Sequence, residues 1–323
     1  MAPDATKPDS HRSASQQTAD AVMMVRPAAF GYNAETAQTN SFQKSEGPAD
    51  AARRAVSEFD GCVQALRSEG IAVCVVEDTA DPVKPDAVFP NNWISFHADG
   101  TVVLYPMQAV SRRLERRREV IDTVAAELGY RVSRIVDLTH HEAAGRFLEG
   151  TGSLVLDHVH RIAYACISPR TAPEVVQQWA SELQYAPVLF EARDRAGAAL
   201  YHTNVMLCLG TDFALVASAS LPVGDRRRVR DSLLTGGREV IEIGHEELDG
   251  FAGNMLELAT WDEALGDCRV LVMSATARRA LQPESYARLA AATDTVLCVP
   301  VPTIETLGGG SVRCMMAEVF RGT

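Results

Sequence analysis

The feature that most constrains this chain is an order of elements (strand, strand, helix, strand) that can be read five times along its length. In the first clear copy, Trp93-Ile94-Ser95-Phe96 and Thr101-Val102-Val103-Leu104-Tyr105 flank the turn Ala98-Asp99-Gly100, which predicts a hairpin. Ser111 to Leu128 then carries a helical pattern with Ser111 as candidate N-cap, and Arg131 to Val136 reads as a strand. The order returns from Leu154 to Phe190, from Val205 to Ile243 and from Met255 to Val299. A last hairpin opens at Val312 to Met316 and has no helix after it. The missing pieces stand at the other end of the chain: a strand over Met23 to Arg26, an amphipathic helix over Asp50 to Glu69, and an apolar strand over Ile71 to Val76.

Five such units at a spacing of roughly 50–60 residues predict an α/β fold of ββαβ repeats, arranged as a five-bladed ring closed by both ends of the chain. Closure removes exposed sheet edges, as in a propeller. An open α/β sheet is the competing architecture. The hairpin inside each unit argues against it, and no glycine-rich phosphate fingerprint follows a first strand. Residues 1–20 are polar and lack the apolar core of a secretory signal, so they are expected to form a disordered tail, with residues 21–323 as a single catalytic domain.

A ring places equivalent positions of each repeat at equivalent distances from its axis. Each unit opens with a polar signature just before its first strand: Asn91-Asn92, Glu149-Gly150-Thr151-Gly152-Ser153, His202-Thr203-Asn204, Gly253-Asn254 and Gly310-Ser311-Val312-Arg313-Cys314. The repeat therefore predicts that these five segments converge on one site. Taken singly, His202 reads equally as a hydrogen-bonded loop histidine, Glu149 as a solvated turn residue, and Asn92 and Asn204 as turn caps. Together a cysteine, a histidine and a glutamate supply a nucleophile, a general acid/base and an orienting carboxylate.

Among seven cysteines, Cys74, Cys166, Cys208 and Cys298 lie inside apolar strand-like runs, where cysteine behaves as a small core hydrophobe. Cys62 falls in the first helix and Cys268 at the start of a strand. Cys314 follows three glycines and the cation Arg313, a context that exposes a thiol and stabilises its thiolate. An odd cysteine count without framework spacing fits a reducing cytoplasm. A net charge of −11 argues against nucleic acid and anionic membrane as partners. The arginines from Arg112 to Arg118 alternate with Glu115 and Glu119 and read as a solvated helix face. His140-His141-Glu142 and His158-Val159-His160 lack a third ligand at suitable spacing, so no metal and no cofactor is expected.

With these residues in hand, the chain resembles the guanidino-modifying superfamily of arginine deiminases, dimethylarginine hydrolases and amidinotransferases, whose fold is a five-bladed α/β propeller. The resemblance rests on Asp86-Ala87-Val88-Phe89-Pro90-Asn91-Asn92, Leu148-Glu149-Gly150, Ile167-Ser168-Pro169-Arg170-Thr171, His202-Thr203-Asn204 and the glycine-rich Cys314 segment. It implies Cys314 as nucleophile, His202 as general acid/base and Glu149 as catalytic carboxylate. It further implies that Arg170 grips a substrate α-carboxylate, that Asp86 lies near the α-amino group, and that Arg26 is a second carboxylate candidate.

The chain departs from the deiminase pattern at Thr151-Gly152-Ser153, where deiminases tend to have glycine then aspartate, and at two asparagines. Asn92 and Asn204 stand where arginine deiminases carry aspartates that pair with a guanidinium. A guanidinium offers only donors and a charge, whereas a ureido group is neutral and also accepts. Amides in place of two carboxylates therefore point to L-citrulline, and Phe-Pro-Asn-Asn-Trp with Glu-Gly-Thr-Gly-Ser resembles citrulline-utilisation ureidases. The expected activity is hydrolysis of citrulline to ornithine, carbon dioxide and ammonia through an S-carbamoyl cysteine. An arginine deiminase or dimethylarginine hydrolase-like enzyme, an amidinotransferase and a non-catalytic amino-acid-binding propeller are the alternatives. The partner implied is a small amino acid, and a homo-oligomer stays open.

Overall fold

The computed structural model describes residues 16–321. All five strand triplets are present. They are β3 (Ile94–Phe96), β4 (Thr101–Leu104) and β5 (Arg134–Asp137); β6 (Leu154–Asp157), β7 (Ile162–Cys166) and β8 (Ala186–Phe190); β9 (Leu207–Leu209), β10 (Phe213–Val216) and β11 (Glu239–Glu242); and β12 (Leu256–Asp262), β13 (Gly266–Ser274) and β14 (Thr295–Val299). The fifth joins the two ends of the chain: β15 (Ala317–Val319), β1 (Ala21–Arg26) and β2 (Ala72–Glu77). In every triplet the first two strands pair antiparallel and the third joins parallel to the second.

The parallel pairing requires a crossover, which a helix supplies each time: Ala51–Ser68, Glu119–Leu128, Pro173–Leu183, Val223–Leu233 and Pro283–Ala291. The helix Ala51–Ser68 shows how sequence sets this packing. Ala55, Phe59, Cys62, Val63 and Leu66 recur on one face, and all are buried against the sheets. Middle strands such as β1 (AVMMVR) and β10 (FALV) are apolar nearly throughout, because they are covered on both faces.

The triplets form four sheets rather than five. A parallel pairing of Val319 with Phe96 fuses the terminal triplet to its neighbour, giving the order β2-β1-β15-β3-β4-β5. The other three triplets stand as separate three-stranded sheets.

Three segments differ from the sequence-based expectation. Val312 to Met316 is not a strand. Cys314, Met315 and Met316 donate their backbone N–H to carbonyls three residues back, which makes a helical turn, and pairing begins only at Ala317. The helix expected over 111–128 is split into Val110–Arg113 and Glu119–Leu128, and Arg112 of the first piece is buried. Residues 17–19, assigned by sequence to a tail, are packed: Gln17 Nε2 donates to the Leu156 carbonyl at 2.9 Å, and the Ala259 N–H donates to the Ala19 carbonyl at 2.8 Å. The rest of the expected tail, residues 1–15, lies outside the described residues. No described helix is long and apolar enough to cross a membrane.

Candidate active site

Each first strand is entered through one tight turn, and these turns carry the polar signatures. Pro90–Asn92, Gly150–Ser153 and Thr203–Val205 are single helical turns ahead of β3, β6 and β9, and the Cys314 turn stands ahead of β15. Hydrogen bonds tie the turns to one another. Thr203 Oγ1 donates to the Ser153 carbonyl at 2.5 Å, and Asn254 Nδ2 to the Asn204 carbonyl at 3.1 Å. Strand-to-strand connection through a turn, rather than through a loop, is what lets five distant segments meet.

At the centre, His202 Nε2 lies 2.9 Å from Glu149 Oε2, and both side chains are almost wholly removed from solvent. Burial lowers the histidine to about 4, although Glu149 opposes that shift, so the ring is neutral at pH 7. Glu149 is held at about 2: burial opposes its ionisation, but the Arg170 charge and the His202 bond overcome it. A neutral ring beside a carboxylate places its proton on Nε2, where it donates to Glu149, and leaves Nδ1 as the free base. Glu149 Oε1 is fixed in turn by the Gln108 N–H at 3.0 Å.

Nδ1 faces Gly152. A Cβ on that glycine would lie 2.7 Å from His202 Nδ1 and 2.5 Å from Asn92 Nδ2, so only glycine permits both side chains to sit there. The Asn92 amide is oriented from behind: Arg112 Nη1 donates to its oxygen at 2.7 Å, and its nitrogen donates to Asn91 Oδ1 at 2.9 Å. Cys314, buried in the fifth turn, lies 3.5 Å from Asn204 Nδ2 and 3.3 Å from Asn254 Nδ2.

A second polar cluster adjoins this centre. Asp86 Oδ2 accepts from Asn33 Nδ2 at 2.8 Å and Thr36 Oγ1 at 3.1 Å, while Oδ1 is buried without a hydrogen-bond partner among the described residues. Gln43 Nε2 is likewise buried and unpartnered, its oxygen 3.1 Å from Thr36 Oγ1. Arg170 spans the two clusters, with Nη1 at 3.4 Å from Glu149 Oε2 and Nη2 donating to the Thr36 carbonyl at 2.6 Å. Arg112 lies against Glu115 at 2.8 Å and is 4.0 Å from Asp86. Burial pushes Glu115 up to about 7 and raises Asp86 as well, despite Arg112.

The structure thus gathers Cys314, His202, Glu149, Asn92, Asn204, Asp86 and Arg170. Arg26 is not with them. It ends β1 on the outer side, paired with Asp60 at 2.7 Å and Glu77 at 3.6 Å. Arg313 does not serve the thiol, because its guanidinium is taken by Glu318 at 2.7 Å and the Met316 carbonyl at 3.0 Å. Sequence reasoning placed Arg112 and Glu115 on a solvated face, where in fact they form a buried pair. The Pro90-Asn91-Asn92 turn, whose amide oxygen needs a donor, was the available signal. His141 is bonded to Gln178, Glu142 to Arg116, and His160 to Asp157. Among the described residues no group of three or more His, Cys, Asp or Glu could hold a metal ion.

Residues 26–321 match the family model described as N,N dimethylarginine dimethylhydrolase, eukaryotic. No curated protein sequence matches the chain significantly. The structure is similar to the substrate-bound N-terminal domain of ArgZ, an arginine dihydrolase from the ornithine-ammonia cycle in cyanobacteria, with TM-score 0.71 and 18% identity over 94% of this chain and 98% of that one. AgrE in complex with L-arginine gives TM-score 0.71 and 18% identity over 94% of this chain, which spans 40% of AgrE. A dimethylarginine dimethylaminohydrolase held as an adduct with S-methyl-L-thiocitrulline gives 0.63 and 18% over 93% and 99%. Because the family model covers residues 26–321, which hold every strand but β1 together with Cys314, His202 and Glu149, this chain belongs to the N,N dimethylarginine dimethylhydrolase family, within the guanidino-modifying superfamily of hydrolases acting on C–N bonds other than peptide bonds.

Proposed function

We propose that this hydrolase cleaves the ureido group of L-citrulline, giving ornithine, carbon dioxide and ammonia. The observation that carries this reading is the fixed amide of Asn92. Its oxygen is consumed by Arg112, so the face toward His202 and Gly152 is a donor. A donor suits a ureido carbonyl and repels the all-donor edge of a guanidinium. Asn204, at the thiol, is also neutral.

The adjoining cluster fits the amino-acid end of such a substrate. The free oxygen of Asp86 is an acceptor for an α-ammonium, and Gln43 Nε2 with Arg170 supplies donors for an α-carboxylate. We place the site on the axis of a five-bladed ring and treat residues 21–321 as one domain, a reading supported by the β15–β3 pairing and the contacts between turns. Seven free cysteines support a reducing compartment, the cytoplasm.

In the mechanism, His202 Nδ1 takes the Cys314 proton and the thiolate attacks the ureido carbon. The tetrahedral intermediate collapses as His202 returns that proton to the departing ornithine δ-nitrogen, which breaks the C–N bond and leaves S-carbamoyl cysteine. Water then gives its proton to His202 and attacks the thioester-like carbon. The thiol is restored and carbamate leaves, decomposing to carbon dioxide and ammonia.

Hydrolysis of a guanidino group, as in an arginine deiminase or dimethylarginine hydrolase, is the second reading. The comparisons favour it: the family description names dimethylarginine, and the relatives include an arginine dihydrolase and an arginine complex. Purified protein incubated separately with citrulline, arginine and N,N-dimethylarginine separates the two. Ornithine from citrulline supports the ureidase; citrulline from arginine or dimethylarginine, with citrulline itself inert, overturns it.

A further inference from the structure

We propose that Asn254 is a catalytic residue, forming with Asn204 a neutral two-amide cradle that holds the negative charge the Cys314 sulfur acquires as it gives up its proton.

The amide of Asn254 is oriented by three contacts. Its oxygen accepts the Arg313 backbone N–H at 3.1 Å, which fixes which end is the donor. Its two N–H groups then point to the Asn204 carbonyl at 3.1 Å and to Cys314 Sγ at 3.3 Å. Both N–H groups and the oxygen of this side chain are engaged, and it is fully buried. Gly253 makes the approach possible, since a Cβ there would lie 2.3 Å from the Val205 carbonyl oxygen. Asn204 Nδ2 reaches the same sulfur at 3.5 Å from another triplet, nearer than its own Oδ1, which accepts from the thiol at 3.9 Å.

The sulfur has no cation among its hydrogen-bond partners within the described residues, since Arg313 is spent on Glu318. Hydrogen bonds to a charged acceptor are stronger than those to a neutral one, so two amides aimed at sulfur favour its thiolate. A neutral substrate brings no charge of its own to ionise the thiol. The cradle removes that requirement, and it operates whichever substrate reading holds, because it acts on the free protein. The titratable group that interacts with the thiol is Tyr201, whose hydroxyl donates to the Gly309 carbonyl and whose ring also feels Arg170, Glu149 and Arg112.

The test follows iodoacetamide alkylation at the Cys314 peptide by mass spectrometry across pH, without substrate, in the full chain and in Asn254→Ala and Asn254→Asp. The cradle predicts that the midpoint of the rate profile rises by about one pH unit in Asn254→Ala, roughly a tenfold slower reaction at neutral pH. It predicts a larger rise in Asn254→Asp, where a carboxylate meets the sulfur. A variant that melts like the native chain and keeps the native midpoint overturns the proposal. Should neither variant fold, asparagine-selective ¹⁵N labelling of the native chain decides. Side-chain amide signals that titrate in step with alkylation, and stop titrating once Cys314 is alkylated, support the cradle; no titrating amide overturns it.

Discussion

Glu149 Oε2 and His202 Nε2 stand 2.9 Å apart in a space closed to solvent, and this contact decides which nitrogen of the imidazole is available for chemistry. Because the carboxylate is ionised and the ring neutral, Nε2 is the donor and Nδ1 the base. Glu149→Gln retains an acceptor but no longer stabilises the imidazolium that forms as the thiol proton moves. The expected result is a fall in kcat of about 100-fold or more, measured by steady-state turnover.

The same pair sets a pH dependence of stability. His202 and His97 are lowered by burial from 6.5 to about 4 in the folded chain. Between those values the unfolded chain binds more protons than the folded one, so stability rises with pH across the window. Their contribution is complete above about pH 6.5 and is lost as pH falls toward 4. Glu149, lowered from 4.5 to about 2, adds a further loss below 4.5 with the same sign. Glu115, raised by burial from 4.5 to about 7, contributes with the opposite sign between those values. His158, lowered by burial to about 3, joins the other two histidines, so urea denaturation at pH 7 and pH 5 is expected to give a lower midpoint at pH 5.

Gly152 is a steric requirement of the site. Gly152→Ala places a methyl group 2.5 Å from Asn92 Nδ2 and 2.7 Å from His202 Nδ1, and both side chains are anchored from behind. One of them must move. A displacement near 1 Å at a catalytic base costs on the order of 100-fold in rate. Thermal melting is expected to change far less than turnover.

Asn92→Asp tests the substrate reading at its source. The carboxylate would still accept from Arg112 but would present an acceptor where the native chain presents a donor. Turnover of citrulline is expected to fall at least about tenfold, the scale of one hydrogen bond at a charged site. The ratio of arginine to citrulline turnover is expected to rise.

Much of this was legible in the chain. The alternation from period-2 hairpins to period-3.6 helices located four triplets and two strands of the one split between the termini, because each element buries one face and shows it in sequence; the first strand of that triplet lies at Ala317–Val319, just beyond the expected Val312 to Met316. Cys314, His202, Glu149, Asn92 and Asn204 were readable as a set because equivalent turns of a repeat meet. What escaped has a common cause. Arg112 sits in a run of charge that local pattern assigns to solvent, and Glu115 together with the distant Asn92 amide and Phe89 carbonyl holds it inside. Arg313 is adjacent to Cys314 in sequence, yet alternate residues of a tight turn point apart, and its charge goes to Glu318. Arg26 lies in a buried strand but at its last residue, where Asp60 of the covering helix claims it.

The central claim is that Cys314 attacks a ureido carbon. Acid quenching during turnover of citrulline, followed by mass spectrometry of the Cys314 peptide, reads that bond directly. A carbamoyl adduct on Cys314, absent in His202→Ala, is the predicted result. An unmodified Cys314 with citrulline, together with an amidino adduct when arginine is supplied, would contradict it.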